Sequence, residues 1–208
     1  MFRLIEVGVK CPRCGISFLS RQLPAVFDSG IRNSELRQEF KGVPPQQEQY
    51  VILSCPSCGK SDWSTTFRPI NERPVLTQPN VTAHLQYRQA ALEAERGGSG
   101  SYAAAMFYLH AAWCADDARA YPQAREYRRL AIDALRRSLI DGTCPHVKRG
   151  EIEYLIGELL RRSGDFDASR EYFRQVIGQL PGKFAFMARK LMRLAEMRSV
   201  DSIPFEAE

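Results

Sequence analysis

The sequence predicts an α+β protein, with a small β-rich nodule in its first third and an all-α bundle behind it. Three observations carry that expectation. Two turns of the form C-P-x-C-G, Cys11-Pro12-Arg13-Cys14-Gly15 and Cys55-Pro56-Ser57-Cys58-Gly59, are each flanked by short apolar or alternating stretches. Arg68 to Asn80 carries Pro69, Pro74 and Pro79, a density that stops helices and central strands. From Val81 the composition shifts to Ala, Leu, Glu, Gln and Arg, all good helix formers. The expected organisation is a cysteine-knuckle domain over 1–68, a proline-rich linker over 69–80, a helical domain over 81–198 and a tail over 199–208.

In the nodule, Phe2–Lys10 reads as a strand entering the first knuckle and Ile16–Leu19 as one leaving it. Gln49–Ser54 and Trp63–Phe67 bracket the second knuckle in the same way. Strand, knuckle, strand, repeated twice, is the layout of a zinc ribbon or a rubredoxin-like site. Proline fixes one backbone dihedral of each turn and glycine takes the left-handed conformation, so both sulfurs of a knuckle point the same way. Two knuckles supply four thiolates, a full tetrahedral set. One Zn²⁺ per chain is therefore expected on Cys11, Cys14, Cys55 and Cys58, with iron the alternative because its ligands are the same.

A closed set of four cysteines leaves no position for water, so the metal is expected to fold the nodule and not to catalyse. Its contribution to folding is on the order of 10 kcal/mol or more. The knuckles lie 40 residues apart, against about 15–20 in most ribbons. Within that gap Pro24–Gly30 and Gly42–Gln47 read as loop, with a short helix from Asn33 or Ser34 to Phe40 between them. No phosphate loop, Ser-His-Asp set or H-E-x-x-H is present, and no catalytic or cofactor-binding residues are expected.

Behind the linker, helices are expected over Thr82–Arg96, Tyr102–Ala120, Gln123–Ile140, Glu151–Leu160, Phe166–Ile177 and Phe184–Arg198. The fourth and fifth flank a turn at Ser163-Gly164-Asp165 and follow the tetratricopeptide pattern. Ile156-Gly157, Leu160, Ser169, Phe173 and Pro181 fall at the offsets of its 34-residue frame, with Glu153 in the tryptophan place. Ala112, Ala124 and Ala131 mark a degenerate earlier repeat, and Phe184, Met187, Leu191 and Leu194 give the last helix an apolar face. The bundle is therefore expected to be tetratricopeptide-like.

Other residues carry weaker expectations. Glu158 stands four residues before Arg162 and is expected to pair with it. His110 and Cys114, with Cys144 and His146, offer a second set of metal ligands, against which stands the tendency of helical cysteines to be core. The arginine clusters at 125–129, 136–137, 161–162 and 189–193 read as solvated faces. A nucleic-acid platform would require Trp63 and Phe67 to flank basic residues on an exposed face of the nodule.

The paired knuckles and the segment Tyr154-Leu155-Ile156-Gly157-Glu158-Leu159-Leu160-Arg161-Arg162-Ser163-Gly164 together resemble a bacterial family, domain of unknown function 2225. The resemblance implies a cytoplasmic bacterial protein with no established activity. Composition agrees with a globular chain: 44% hydrophobic and 25% charged residues in 208. Its +5 charge is too mild to argue for nucleic acid by itself. The start has no signal-peptide core and no apolar run reaches membrane-spanning length, so the six cysteines are read as reduced and the chain as cytoplasmic. The expected function is a noncatalytic module that binds a protein or peptide partner. Nucleic-acid association is the alternative, and iron-based redox chemistry the third reading.

Overall fold

The computed structural model describes residues 4–26, 28–40 and 47–206, and the fold is α+β. Phe2, Phe27 and most of the loop expected over 42–47 lie outside the described residues. Strands β1 (Ile5–Lys10) and β2 (Ser17–Gln22) form an antiparallel hairpin whose turn is the first knuckle. Strands β3 (Ile52–Ser54) and β4 (Ser61–Trp63) form a second hairpin around the other knuckle. Strand β5 (Arg68–Ile70) pairs with the free edge of β1, giving the order β2-β1-β5.

Two expected strands come out differently. Gln47–Tyr50 is a 3₁₀ turn and only Ile52–Ser54 is strand. The stretch expected as one strand over Trp63–Phe67 breaks at the 3₁₀ turn Ser64–Thr66, where the chain leaves one sheet for the other. That break sends two aromatic side chains to different cores. Phe67 meets Phe18 edge-on at 5.7 Å beneath the knuckles, with Val9 and Leu53. Trp63 instead stacks on Phe107 at 4.8 Å and meets Tyr87 and His110 edge-on in the helical core. Neither ring offers an exposed platform on which a base could stack.

The proline-rich stretch is extended and docked along β2. The Leu19 amide donates to the Leu76 carbonyl at 2.7 Å, and the Gln78 amide to the Leu19 carbonyl at 2.8 Å. The helices follow as α1 (Ala83–Arg96), α2 (Ser101–Asp117), α3 (Tyr121–Ile140), α4 (Arg149–Arg162), α5 (Phe166–Val176) and α6 (Gly182–Glu196), each packed on the next. Helix α3 starts earlier than expected, with Pro122 in its first turn, where a missing N–H leaves no helical bond unmade. Ala112, Ala124 and Ala131 are fully buried where α2 and α3 cross.

The α4–α5 crossing depends on one glycine. A Cβ on Gly157 would lie 2.5 Å from the ring of Phe173, which is wholly buried, and Ser169 Oγ donates to the Gly157 carbonyl at 2.7 Å. The small residues at 157 and 169 thus let the helix backbones approach and Phe173 fill the gap. Gly157→Ala should lower stability by about 1–3 kcal/mol through overpacking, read as a lower urea midpoint at unchanged m-value. An unchanged midpoint would show that the crossing is looser than this geometry.

The segment between the knuckles packs on the helices. The short helix expected from Asn33 or Ser34 to Phe40 is absent. Asn33 Oδ1 instead accepts the amides of Glu35 and Arg37, and Leu36 takes a left-handed φ of 61°. This tight turn carries two charged side chains into the bundle. Glu35 makes a two-pronged pair with Arg128 of α3 at 2.7 and 2.8 Å. Arg37 grips Glu48 and, from α2, Asp117. Tyr154 of α4 donates to the Ser34 carbonyl at 2.8 Å, and the C-terminal stretch bonds the other side of the turn through Ile203 and Phe205.

Two expectations about charge are thereby corrected. Arg128 and Arg161, members of clusters expected to be solvated, are 2% and 0% exposed. Glu158 pairs with Arg161, three residues on, through two bonds of 2.7 Å, and not with Arg162. Arg162 turns to Asp116, Glu35 and the Val200 carbonyl.

Candidate metal centre

The two knuckles are built alike. In the first, the Gly15 amide donates to the Cys11 carbonyl at 3.0 Å and the Cys11 amide to the Ile16 carbonyl at 2.9 Å. In the second, Gly59 donates to Cys55 at 3.1 Å and Cys55 to Lys60 at 2.9 Å. Gly15 and Gly59 sit at φ 75° and 69°, a region other residues enter only with strain. Each turn therefore presents a pair of sulfurs in the same way, and the two hairpins set the pairs face to face.

All four Sγ atoms lie within 4.8 Å of one another. Cys11 Sγ is 3.7 Å from Cys58 Sγ, and Cys14 Sγ is 3.6 Å from Cys55 Sγ. A regular tetrahedron with metal–sulfur bonds of about 2.3 Å has sulfur–sulfur edges of roughly 3.8 Å. The closest pairs match that edge, so the four side chains can hold a metal ion.

The sulfurs differ in how readily they ionise. The backbone at Ile16 holds the Cys14 thiol down at about 7, while burial pushes Cys55 up to about 12 and Cys58 up as well. Left to themselves the sulfurs would not all be thiolates at neutral pH. A divalent ion would hold them so, releasing protons as it bound. A thiolate set around such an ion keeps a net negative charge. Arg13 lies near enough to Cys11 and Cys58 to offset part of it and is anchored by Glu93 of α1 at 2.5 Å. Lys60, held by Asp62 at 2.9 Å, also approaches Glu93.

The second ligand set expected from His110, Cys114, Cys144 and His146 does not assemble. Among the described residues the four knuckle cysteines are the one such group. His110 is instead enclosed by Trp63, Tyr87 and Trp113, and Cys114 is core, its thiol pushed up by burial. Cys144 Sγ bonds the Pro145 carbonyl. Sequence gives little sign that Glu35 and Arg37 reach the bundle, since a charged stretch between loops looks solvated. Arg128 does leave one trace: it stands four residues after Ala124 and three before Ala131, on the buried stripe of its helix.

Among the described residues no helix is long and apolar enough to cross a membrane. No curated protein and no solved structure matches the chain. One family model does, described as "uncharacterized protein conserved in bacteria (DUF2225)", over residues 77–195. That span covers all six helices but for the end of α6, and the knuckles precede it. The chain belongs to this bacterial family of uncharacterized proteins, DUF2225.

Proposed function

We propose that the chain is a noncatalytic protein in which one Zn²⁺ on Cys11, Cys14, Cys55 and Cys58 folds the N-terminal third, and in which the helices dock a protein or peptide partner. The arrangement of the four sulfurs carries the first half of this reading. Four protein ligands complete a tetrahedron, and a closed site of that kind is structural. The exposed apolar residues flanking the α3–α4 turn favour the second half: Ile140 is 87% and Val147 95% exposed. Large apolar side chains held this far out of a fold are candidates for burial by a partner.

Elemental analysis of protein purified under reducing conditions tests the metal. The expected result is one zinc per chain in a colourless preparation. Well under one metal per chain would overturn the assignment, and stoichiometric iron would replace zinc with the other metal that accepts four thiolates. For the partner, crosslinking in the native cell should capture a protein with the wild-type chain and lose it with Ile140→Asp/Val147→Asp, at unchanged zinc content and helicity. Identical capture by both chains would remove the α3–α4 turn from the reading.

A further inference from the structure

Where the segment between the knuckles crosses the bundle it leaves a cavity of about 480 Å³, open to solvent on one side. That volume lies in the range of small-molecule sites, roughly 300–1,000 Å³. Leu36, Leu109, Trp113, Leu155, Phe184 and Phe205 give it an apolar and aromatic wall.

Two observations set it apart from a packing defect. The first is a pair of polar atoms in its lining residues. His110 Nδ1 and Trp113 Nε1 are buried with no hydrogen-bond partner among the described residues, and Trp113 is only 6% exposed. An indole N–H is a donor with no alternative role, and leaving one buried and unmet is destabilising. Burial, helped by Arg37, drives the His110 pKa down to about 3, so its ring is neutral and keeps a lone pair beside its N–H.

The second observation is a charge that is left over. The lining includes Arg32, Glu35, Glu48, Lys148, Glu151 and Lys183. Arg32 is matched by Asp28, Glu35 by Arg128, Glu48 by Arg37, and Lys148 by Glu151. Lys183 has no carboxylate partner among the described residues. Its ammonium lies 5.0 Å from the ring of Phe184. The wall therefore pairs an apolar, aromatic surface with one cation that no carboxylate among the described residues matches.

We propose that this cavity binds a small organic anion with a flat apolar body, its acid group meeting Lys183 and its body lying against Leu109, Trp113 and Phe205. The proposal is independent of which metal the knuckles hold.

Fluorescence titration of the full, metal-loaded chain with 1-anilinonaphthalene-8-sulfonate tests it. Binding should saturate at one probe per chain. Naphthalene-2-carboxylate should displace the probe, and the neutral naphthalene-2-methanol should do so about tenfold less well, the share of one charge-assisted contact. Lys183 is exposed, so Lys183→Met should leave folding intact while weakening the acid about tenfold and erasing its advantage over the alcohol. Leu109→Trp should fill the cavity and abolish binding, with helicity checked by circular dichroism.

No saturable binding would mean that the cavity holds water only, and would overturn the proposal. So would binding indifferent to both Lys183→Met and Leu109→Trp.

Discussion

With zinc on the knuckles as proposed, Cys55→Ser or a strong chelator will unfold the N-terminal third and also lower the melting temperature of the helices. The first effect follows from size. Beneath the knuckles the buried residues are Val9, Phe18, Leu53 and Phe67 with Cys11 and Cys55 themselves. A core so small does not hold a unit of this length without help, and a structural zinc contributes on the order of 10 kcal/mol or more. The second effect follows from topology. Ile52 and Trp63, one on each strand of the second hairpin, are built into the helical core. The segment carrying Glu35 and Arg37 is tied at both ends to the knuckles, so a metal held there would close a loop whose middle is docked on α2, α3 and α4. When the loop opens, Arg128 and Asp117 lose partners inside or at the edge of the bundle. Uncompensated buried charge costs about 3–5 kcal/mol, equivalent to roughly 10 °C in a chain of this size. Circular dichroism at 222 nm, recorded on heating with and without metal, reads this directly. Coincident melting curves would show that the nodule and helices are energetically independent.

How much of this was legible in the sequence depended on the range of the interactions. The knuckles were legible because each is local: proline, glycine and two cysteines within five residues define a turn closed by its own backbone. The α4–α5 hairpin was legible for a related reason, since Gly157, Ser169 and Phe173 report one helix crossing within a single repeat-length window. The segment between the knuckles was not. Ser34-Glu35-Leu36-Arg37-Gln38 has helix-forming composition, but its backbone is bent by Asn33 and by partners 80 to 120 residues away in the chain. Propensity is worth tenths of a kcal/mol per residue, and such charged and hydrogen-bonded contacts outweigh it. Arg128 and Arg129 make the same point within one helix. The first is buried against Glu35 and the second is exposed beside Asp165, and helical phase separates them where composition does not. The cavity lay beyond sequence altogether, because its wall is drawn from distant stretches that meet only when the loop is docked.

Arg128→Ala is the substitution expected to cost most within the bundle. It leaves the Glu35 carboxylate, 1% exposed, with Arg162 at 3.4 Å as its nearest remaining cation, and it takes a partner from Asp116. Stability should fall by about 3–5 kcal/mol. Replacing both members, Glu35→Leu with Arg128→Met, should recover most of that loss, because an apolar pair carries no desolvation cost. A double variant no more stable than Arg128→Ala would show that the pair supplies attraction beyond what its burial costs. Acid gives a second measure. Burial alone would raise the Glu35 pKa, but Arg128, then Arg162 and Arg37, outweigh it and hold the carboxyl at about 2, against an ordinary 4.5. A carboxylate depressed on folding contributes stability that is fully present above about pH 4.5 and is lost as pH falls toward 2, here by about 3 kcal/mol. Glu158, on α4, works in the opposite sense: burial raises its pKa, so its protonation favours the folded chain as pH falls. Acid also strips a thiolate-bound metal. The informative quantity is therefore the difference between wild type and Glu35→Gln, in which the knuckles and Glu158 are common to both. That difference should be largest near neutrality and close to zero at pH 2; a gap that does not change with pH would mean that folding leaves the Glu35 pKa unshifted.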